Sequence, residues 1–175
     1  MALTLHQAFV PQCQQILGGL RGLIDKGETH VKDNGLEDAE LIEACLVEGM
    51  WTLPWHVRAC WVHSGYALEQ VQTGEFTPDF TDVPTDWDSM RAMVDDAQAK
   101  LAAVSADKLE AIADNTTGFV LGGKRLMELT AQNFLLGFNQ PNFYFHATTF
   151  YDILRSKNVS LSKMDYMGPI PVLGN

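Results

Sequence analysis

The stretch QPNFYFHATTFYDILR, Gln140 to Arg155, holds the residues best suited to chemistry in this chain. Read as a helix, it places Asn142, His146, Thr149 and Ile153 on one face, because 3.6 residues per turn superimposes positions i, i+4, i+7 and i+11. Phe143, Phe150 and Leu154 flank that face, and Tyr144, Tyr151 and Arg155 lie opposite. A polar pair inside an apolar arc must find partners or a ligand, since burying an unpaired polar group costs free energy. The imidazole can ligate a metal or hold a hydrogen bond, and the amide both donates and accepts. The bland alternative is a satisfied Asn–His pair that fixes the register of a packed core.

The other candidates are weaker. His56 and His63 share a face but lie two turns apart, about 10.5 Å along a helix axis, too far to chelate one ion as a pair. His63 alone, facing His146 across a core, is the better partner. His6 sits on the apolar side of the first helix and reads as a core residue, and His30, in a charged segment, as exposed. Cys60 shares the inner face with His63, but Arg58 points elsewhere on the helical wheel. An inert buried thiol is therefore expected. The segment Trp51 to Trp55 reads as a hydrophobic clamp on a helix start or as the mouth of a pocket. Gly118 to Lys124 superficially matches a phosphate loop but continues with Arg125 in place of Ser or Thr. No G-x-S-x-G or H-E-x-x-H occurs, and the carboxylates are scattered on outer faces.

Four long amphipathic stretches would position these residues. The first runs from Thr4, a candidate N-cap, to about Lys26, with Leu5, Phe9, Cys13, Ile16, Leu20 and Leu23 in a 3.6-residue stripe and Pro11 on the outer face. Asn34-Gly35 reads as a stop or turn, and Glu37 to Ala44 as a short helix. A second long helix begins near Pro54 and runs to about Gln72; residues 74–84 are turn-rich and expected to be irregular. Thr85-Asp86-Trp87-Asp88 resembles a capping box that opens a third helix to about Val104, with a short helix over Ser105 to Ala113. FVLGGKRLMEL reads as a hairpin turning at Gly122-Gly123. The fourth helix spans about Thr130 to Lys157 and should kink at Pro141, which cannot donate to the carbonyl four residues back. The tail SLSKMDYMGPIPVLGN reads as extended. The pattern predicts an all-α four-helix bundle with a small β-hairpin addition, a single domain over 1–175.

Composition bounds the partners. Of 175 residues, 46% are hydrophobic and 19% charged, which suits a packed globular domain. The net charge of −10 comes with no cluster of Lys or Arg, so neither nucleic acid nor an anionic membrane surface is an expected partner. The start lacks the pattern of a secretory signal, no apolar run approaches the ~20 residues of a membrane span, and three scattered cysteines form no CxxC. A cytoplasmic location is expected. Exposed aromatics and the apolar tail suggest a homodimer.

A resemblance to a family rests on the Pro-Asn-Phe-Tyr-Phe-His run at 141–146, on Ile153-Leu154-Arg155, and on Leu161-Ser162-Lys163 with Asp165-Tyr166 and Gly168. The Met50-to-Gly65 region and Leu121-Gly122-Gly123-Lys124 fit as well. Over most of its length the chain resembles the DinB/YfiT-like four-helix bundles, within a bacterial branch whose members have no assigned function. The wider superfamily often holds a divalent metal with three histidines, one from the second helix and two from an H-x-x-x-H on the fourth. Some members activate a low-molecular-weight thiol or act as isomerases. Carried over by residue, His146 matches the later fourth-helix ligand, while Asn142 stands where the earlier one belongs. His63 or His56 matches the second-helix ligand; an alignment one turn away places Ala59 there. A neutral amide is a weak ligand for zinc or nickel.

The expectation is thus a bundle without an intact three-histidine metal site, binding a small ligand in its core near Asn142, His146, His63 and Thr149. The alternative is an enzyme of thiol-transferase or hydrolase type that uses a divalent metal, zinc or nickel, on His63 and His146.

Overall fold

Each long element starts or stops where its local chemistry demands. In the computed structural model, which describes residues 2–172, helix α1 spans Leu5–Asn34. It opens on a reciprocal capping box: the Thr4 hydroxyl accepts from the Gln7 amide, and the Gln7 side chain accepts from the Thr4 N–H. It closes at Gly35 in the left-handed region (φ 63°), with Leu36 N–H donating to Val31 O. The helix runs two turns past Lys26 because Gly27 and Val31 continue the buried stripe. A side chain at Gly27 would meet the Trp87 ring at 3.1 Å, so its missing Cβ lets that indole pack on α1.

Short α2 (Ala39–Ile42) leads to α3, an α-helix over Leu53–Trp61, a π-helical segment over Val62–Tyr66 and α-helix again over Ala67–Val71. Pro54 lies in the first turn, where an N–H is dispensable. Strand β1 (Glu75–Phe76) follows, within the stretch expected to be irregular. Helix α4 (Trp87–Ala103) is capped by Asp86 with Ser89, one residue later than the expected Thr85 box. After α5 (Ala106–Ala111), β2 (Thr116–Leu121) and β3 (Lys124–Thr130) form the expected hairpin, with Gly122 and Gly123 both at positive φ. The parallel pairing of β1 with β2 makes it a three-stranded sheet; buried Phe76 pins that edge to the helices.

Helix α6 is α over Ala131–Asn133, π over Phe134–Asn139 and α over Gln140–Ser156. The irregularity expected at Pro141 takes the form of this π segment just before it. The tail is not wholly extended. Ser162 and Asp165 form a capping box that starts α7 (Lys163–Met167), and α7 docks on α1. Gly19 permits this approach, since a Cβ there would sit 2.3 Å from Tyr166 O. The last three residues of the expected tail lie outside the described residues.

Helices α1, α4, α3 and α6 pack in a ring around one core that includes Phe9, Leu17, Val57, Met90, Phe143 and Phe150. The fold is a helical bundle with a small β addition. No described helix is long and apolar enough to cross a membrane.

Candidate functional site

The site lies where the two π segments meet, between α3 and α6. A π turn admits one extra residue and re-aims the side chains around it, which is why such turns recur at functional sites. The α3 segment carries His63 and the α6 segment carries Asn139, and these two bond to each other. Asn139 is fully buried, and its Nδ2 donates to Phe134 O at 3.1 Å. That bond turns Oδ1 towards His63, so the imidazole donates through Nδ1–H at 2.9 Å. The lone pair of His63 is thereby left on Nε2.

A second chain of bonds sets His146 in the same way. Buried His56 has Nε2 3.2 Å from Trp51 O, an acceptor only, so Nε2 carries the proton. Its Nδ1 must then accept, and His146 donates Nδ1–H to it across 3.0 Å. His146 is left, like His63, with its lone pair on Nε2. The two rings stand nearly parallel, 5° apart in plane with centroids 6.1 Å apart, and Trp51 stacks on His146 at 5.4 Å. The Trp51 carbonyl, just ahead of α3, and the Asn139 amide on α6 fix both tautomers.

Burial keeps this cluster neutral. Desolvation lowers the affinity of His146 for a proton, to a pKa of about 3, and the neighbouring His56 and His63 add to the effect. His63 and His56 are held below the ordinary imidazole value by burial, despite the opposing effects of their bonds to Asn139 and Trp51.

His63, His146 and Asn142 line a cavity of about 200 Å³ whose other walls include Trp51, Phe119 and Phe138. Arg58 also faces it, 3% exposed, with Nε donating to Asp82 O at 2.9 Å and Nη2 to Asp79 Oδ1 at 3.0 Å. Its guanidinium sits over the rings of Phe80 and Trp55. Asp79 stays ionised because the Thr81 hydroxyl and amide both donate to it and Arg58 lies beside it.

Of the residues singled out in the sequence, the structure brings His63, His146 and Asn142 together at this cavity. The Asn142 amide turns back to donate to Phe138 O at 2.7 Å and makes no hydrogen bond to His146. Thr149 does not join them. It lies a turn further along α6, donates its hydroxyl to Phe145 O and faces a separate apolar depression with Pro141 and Phe145. His6 is half-buried on α1, its backbone amide bonded to Glu110. Cys60 is buried with its thiol pKa pushed up by desolvation, an unreactive setting.

Sequence reasoning missed Arg58 and Asn139, and it set His56 behind His63. His56 and His63 are each adjacent to His146, so the two-turn separation that rules out chelation does not rule out one cluster. Arg58 was assigned to another part of the wheel, yet the loop carrying Asp79 and Asp82 folds over it. Asn139 sits one turn before Asn142 and carried a usable signal, a second amide just ahead of the proline.

The donor set does not make a three-histidine metal centre. Such a centre needs three free donors converging on one point. His56 uses both of its nitrogens, His63 and His146 present one each from parallel rings, and Asn142 adds only an amide oxygen. Among the described residues, no group of three or more His, Cys, Asp or Glu side chains is placed to hold an ion.

Comparison with known proteins agrees with this architecture. The family model described as "Domain of unknown function (DUF1993)" matches residues 5–167. The chain is also similar to the crystal structure of a DinB family member protein from Shewanella denitrificans, at 23% identity and a TM-score of 0.83, over 98% of this chain and 96% of that one. Likeness at that identity speaks for the fold alone. A search of curated proteins gives no match.

Proposed function

Since the chain belongs to the DUF1993 family, whose description names no reaction, we propose a function from the site itself: the bundle binds a small ligand in the cavity between α3 and α6. One observation carries this reading. Two imidazoles with fixed tautomers present unpartnered Nε2 lone pairs at an aromatic-walled cavity, and Asn142 and His146, the pair a purely structural reading would bond to each other, are not hydrogen-bonded. Pockets of this kind, mostly apolar with a few convergent polar groups, are the usual form of small-molecule sites.

The test is a fragment screen followed by two-dimensional NMR on the full chain. Small aromatic fragments should shift the Trp51 indole and the ring signals of His63 and His146. Shifts that avoid these three residues for every fragment would remove the reading.

A second reading is favoured by the same tautomers, because metal-ligating histidines are usually oriented by a hydrogen bond from the other ring nitrogen. It is a divalent-metal enzyme of thiol-transferase or hydrolase type in which His63 and His146 are completed by Asn142 or water. Elemental analysis after incubation with zinc or nickel separates the two. The ligand-pocket reading expects no tightly held ion; one ion per chain, lost in His146→Ala, would put the metal reading first. We further propose that the chain self-associates through the exposed apolar residues Leu46, Val47, Met50 and Phe145, which flank the α6 face.

A further inference from the structure

The cavity is lined by two chemically opposite kinds of polar group within one apolar frame. His63 and His146 offer only acceptors, because each has already given its single N–H to Asn139 or His56. Arg58 offers only donors. Its Nε and Nη2 are used by Asp82 O and Asp79, while Nη1 has no protein partner among the described residues. Nη1 is also absent from the buried polar atoms left without a bond, so its N–H groups reach open space although the residue is 3% exposed. Much of the remaining lining is aromatic: Trp51 stacked on His146, and Phe119 and Phe138 edge to face at 5.4 Å. The charge of Arg58 is matched by Asp79, and the imidazoles carry none, so the site offers no net charge to an ion.

We propose that this cavity takes a small, uncharged, planar aromatic compound that gives a hydrogen-bond donor to His63 or His146 and a carbonyl oxygen to Arg58. This rests on the ligand-pocket reading and narrows it to a chemical class. Size agrees: a dry cavity of roughly 150 Å³ holds one benzene ring, and about 200 Å³ leaves room for small substituents at the ends. Polarity agrees as well, since a buried donor or acceptor without a counterpart on the ligand would be left unpaired, which is how polar sites reject the wrong analogue.

The experiment is a calorimetric titration of the full chain at pH 8 with four single-ring probes. 4-Hydroxybenzamide carries both groups, p-cresol lacks the carbonyl, 4-methoxybenzamide lacks the hydroxyl donor and keeps only the amide N–H groups beside its carbonyl, and 4-hydroxybenzoate replaces the amide with an anion. 4-Hydroxybenzamide should bind most tightly, about tenfold over each of the others, the worth of one hydrogen bond to a charged or buried partner. In Arg58→Met, and in Arg58→Lys, which keeps the cation but not the fork, its advantage over p-cresol should collapse. Circular dichroism would establish that both variants are folded. Equal or tighter binding of 4-hydroxybenzoate, or an advantage that survives both Arg58 variants, would overturn the class while leaving the pocket standing. No heat from any probe, with the Trp51 signal unmoved at millimolar concentration, would overturn the pocket reading itself.

Discussion

His146 shows how much of a site's chemistry is set by atoms that never touch a ligand. Its free lone pair depends on a proton held by His56, which depends in turn on the Trp51 carbonyl. Replacing His56 with Ala leaves the His146 N–H buried without its acceptor, and this should cost about 1–3 kcal/mol in urea denaturation. A cost near zero would mean that His146 readily finds another partner. The acid response follows from the same burial. All three imidazoles bind protons less readily in the folded state than the ~6.5 of an unfolded chain. Above that pH neither state is protonated and the stability is fully present. As pH falls from about 6.5 towards 4, the unfolded chain takes up protons that folded His146, with a pKa of about 3, refuses. Stability should then drop by up to about 1.4 kcal/mol per pH unit for each such histidine. Urea midpoints that stay flat over this window would contradict neutral buried imidazoles. Sequence made His146 and His63 visible as candidates, since a polar residue in an apolar stripe stands out. It could not show His56 as their partner, because adjacency across helices leaves no trace in spacing along one.

At the scale of elements, the π segments decide the site. Without them, α3 and α6 would hold strict 3.6-residue registers along their whole length. Val62–Tyr66 and Phe134–Asn139 each take in an extra residue, and the His63–Asn139 bond ties the two together. Pro141 made an irregularity legible near that point, because a missing N–H must be accommodated somewhere. The matching irregularity in α3 has no proline to announce it. Gly65 lies inside it, and a Cβ there would come within 2.8 Å of Ala97 O, so the segment also presses close to α4. The sheet carries a separate test. Thr117 on β2 is fully buried, and its hydroxyl is the single buried side-chain polar atom without a hydrogen bond among the described residues. Thr117→Val keeps the shape and removes the unpaired hydroxyl, so it should stabilise the protein by about 1 kcal/mol. Thermal melting checks this; a loss of stability would place an unseen bonding partner, such as a water, at that hydroxyl.

For the molecule as a whole, the bundle buries its apolar stripes around one core and leaves a band of large apolar residues outside. Leu46, Val47, Met50, Trp51 and Phe145 are each more than a third exposed and lie near one another around the α6 face. Contiguous apolar surface of this kind usually marks an interaction site. Sedimentation equilibrium should therefore give twice the 19.4 kDa of one chain, and Phe145→Lys should return it to the mass of a monomer. A monomer at high concentration in the unaltered protein would end the dimer proposal.

The bundle itself was legible in the sequence, because burying an amphipathic stripe is a local periodic constraint that each helix satisfies in the same way. The hairpin was legible for a similar reason: Gly122-Gly123 supplies the positive φ angles that such a turn demands. The tertiary structure alone decided that α7 would be a helix docked on Gly19, that β1 would join the hairpin, and that His56, Asn139 and Arg58 would surround the candidate pair. Those outcomes depend on which atoms meet across elements far apart in sequence. Periodicity names the face a residue occupies, and only packing settles what lies opposite.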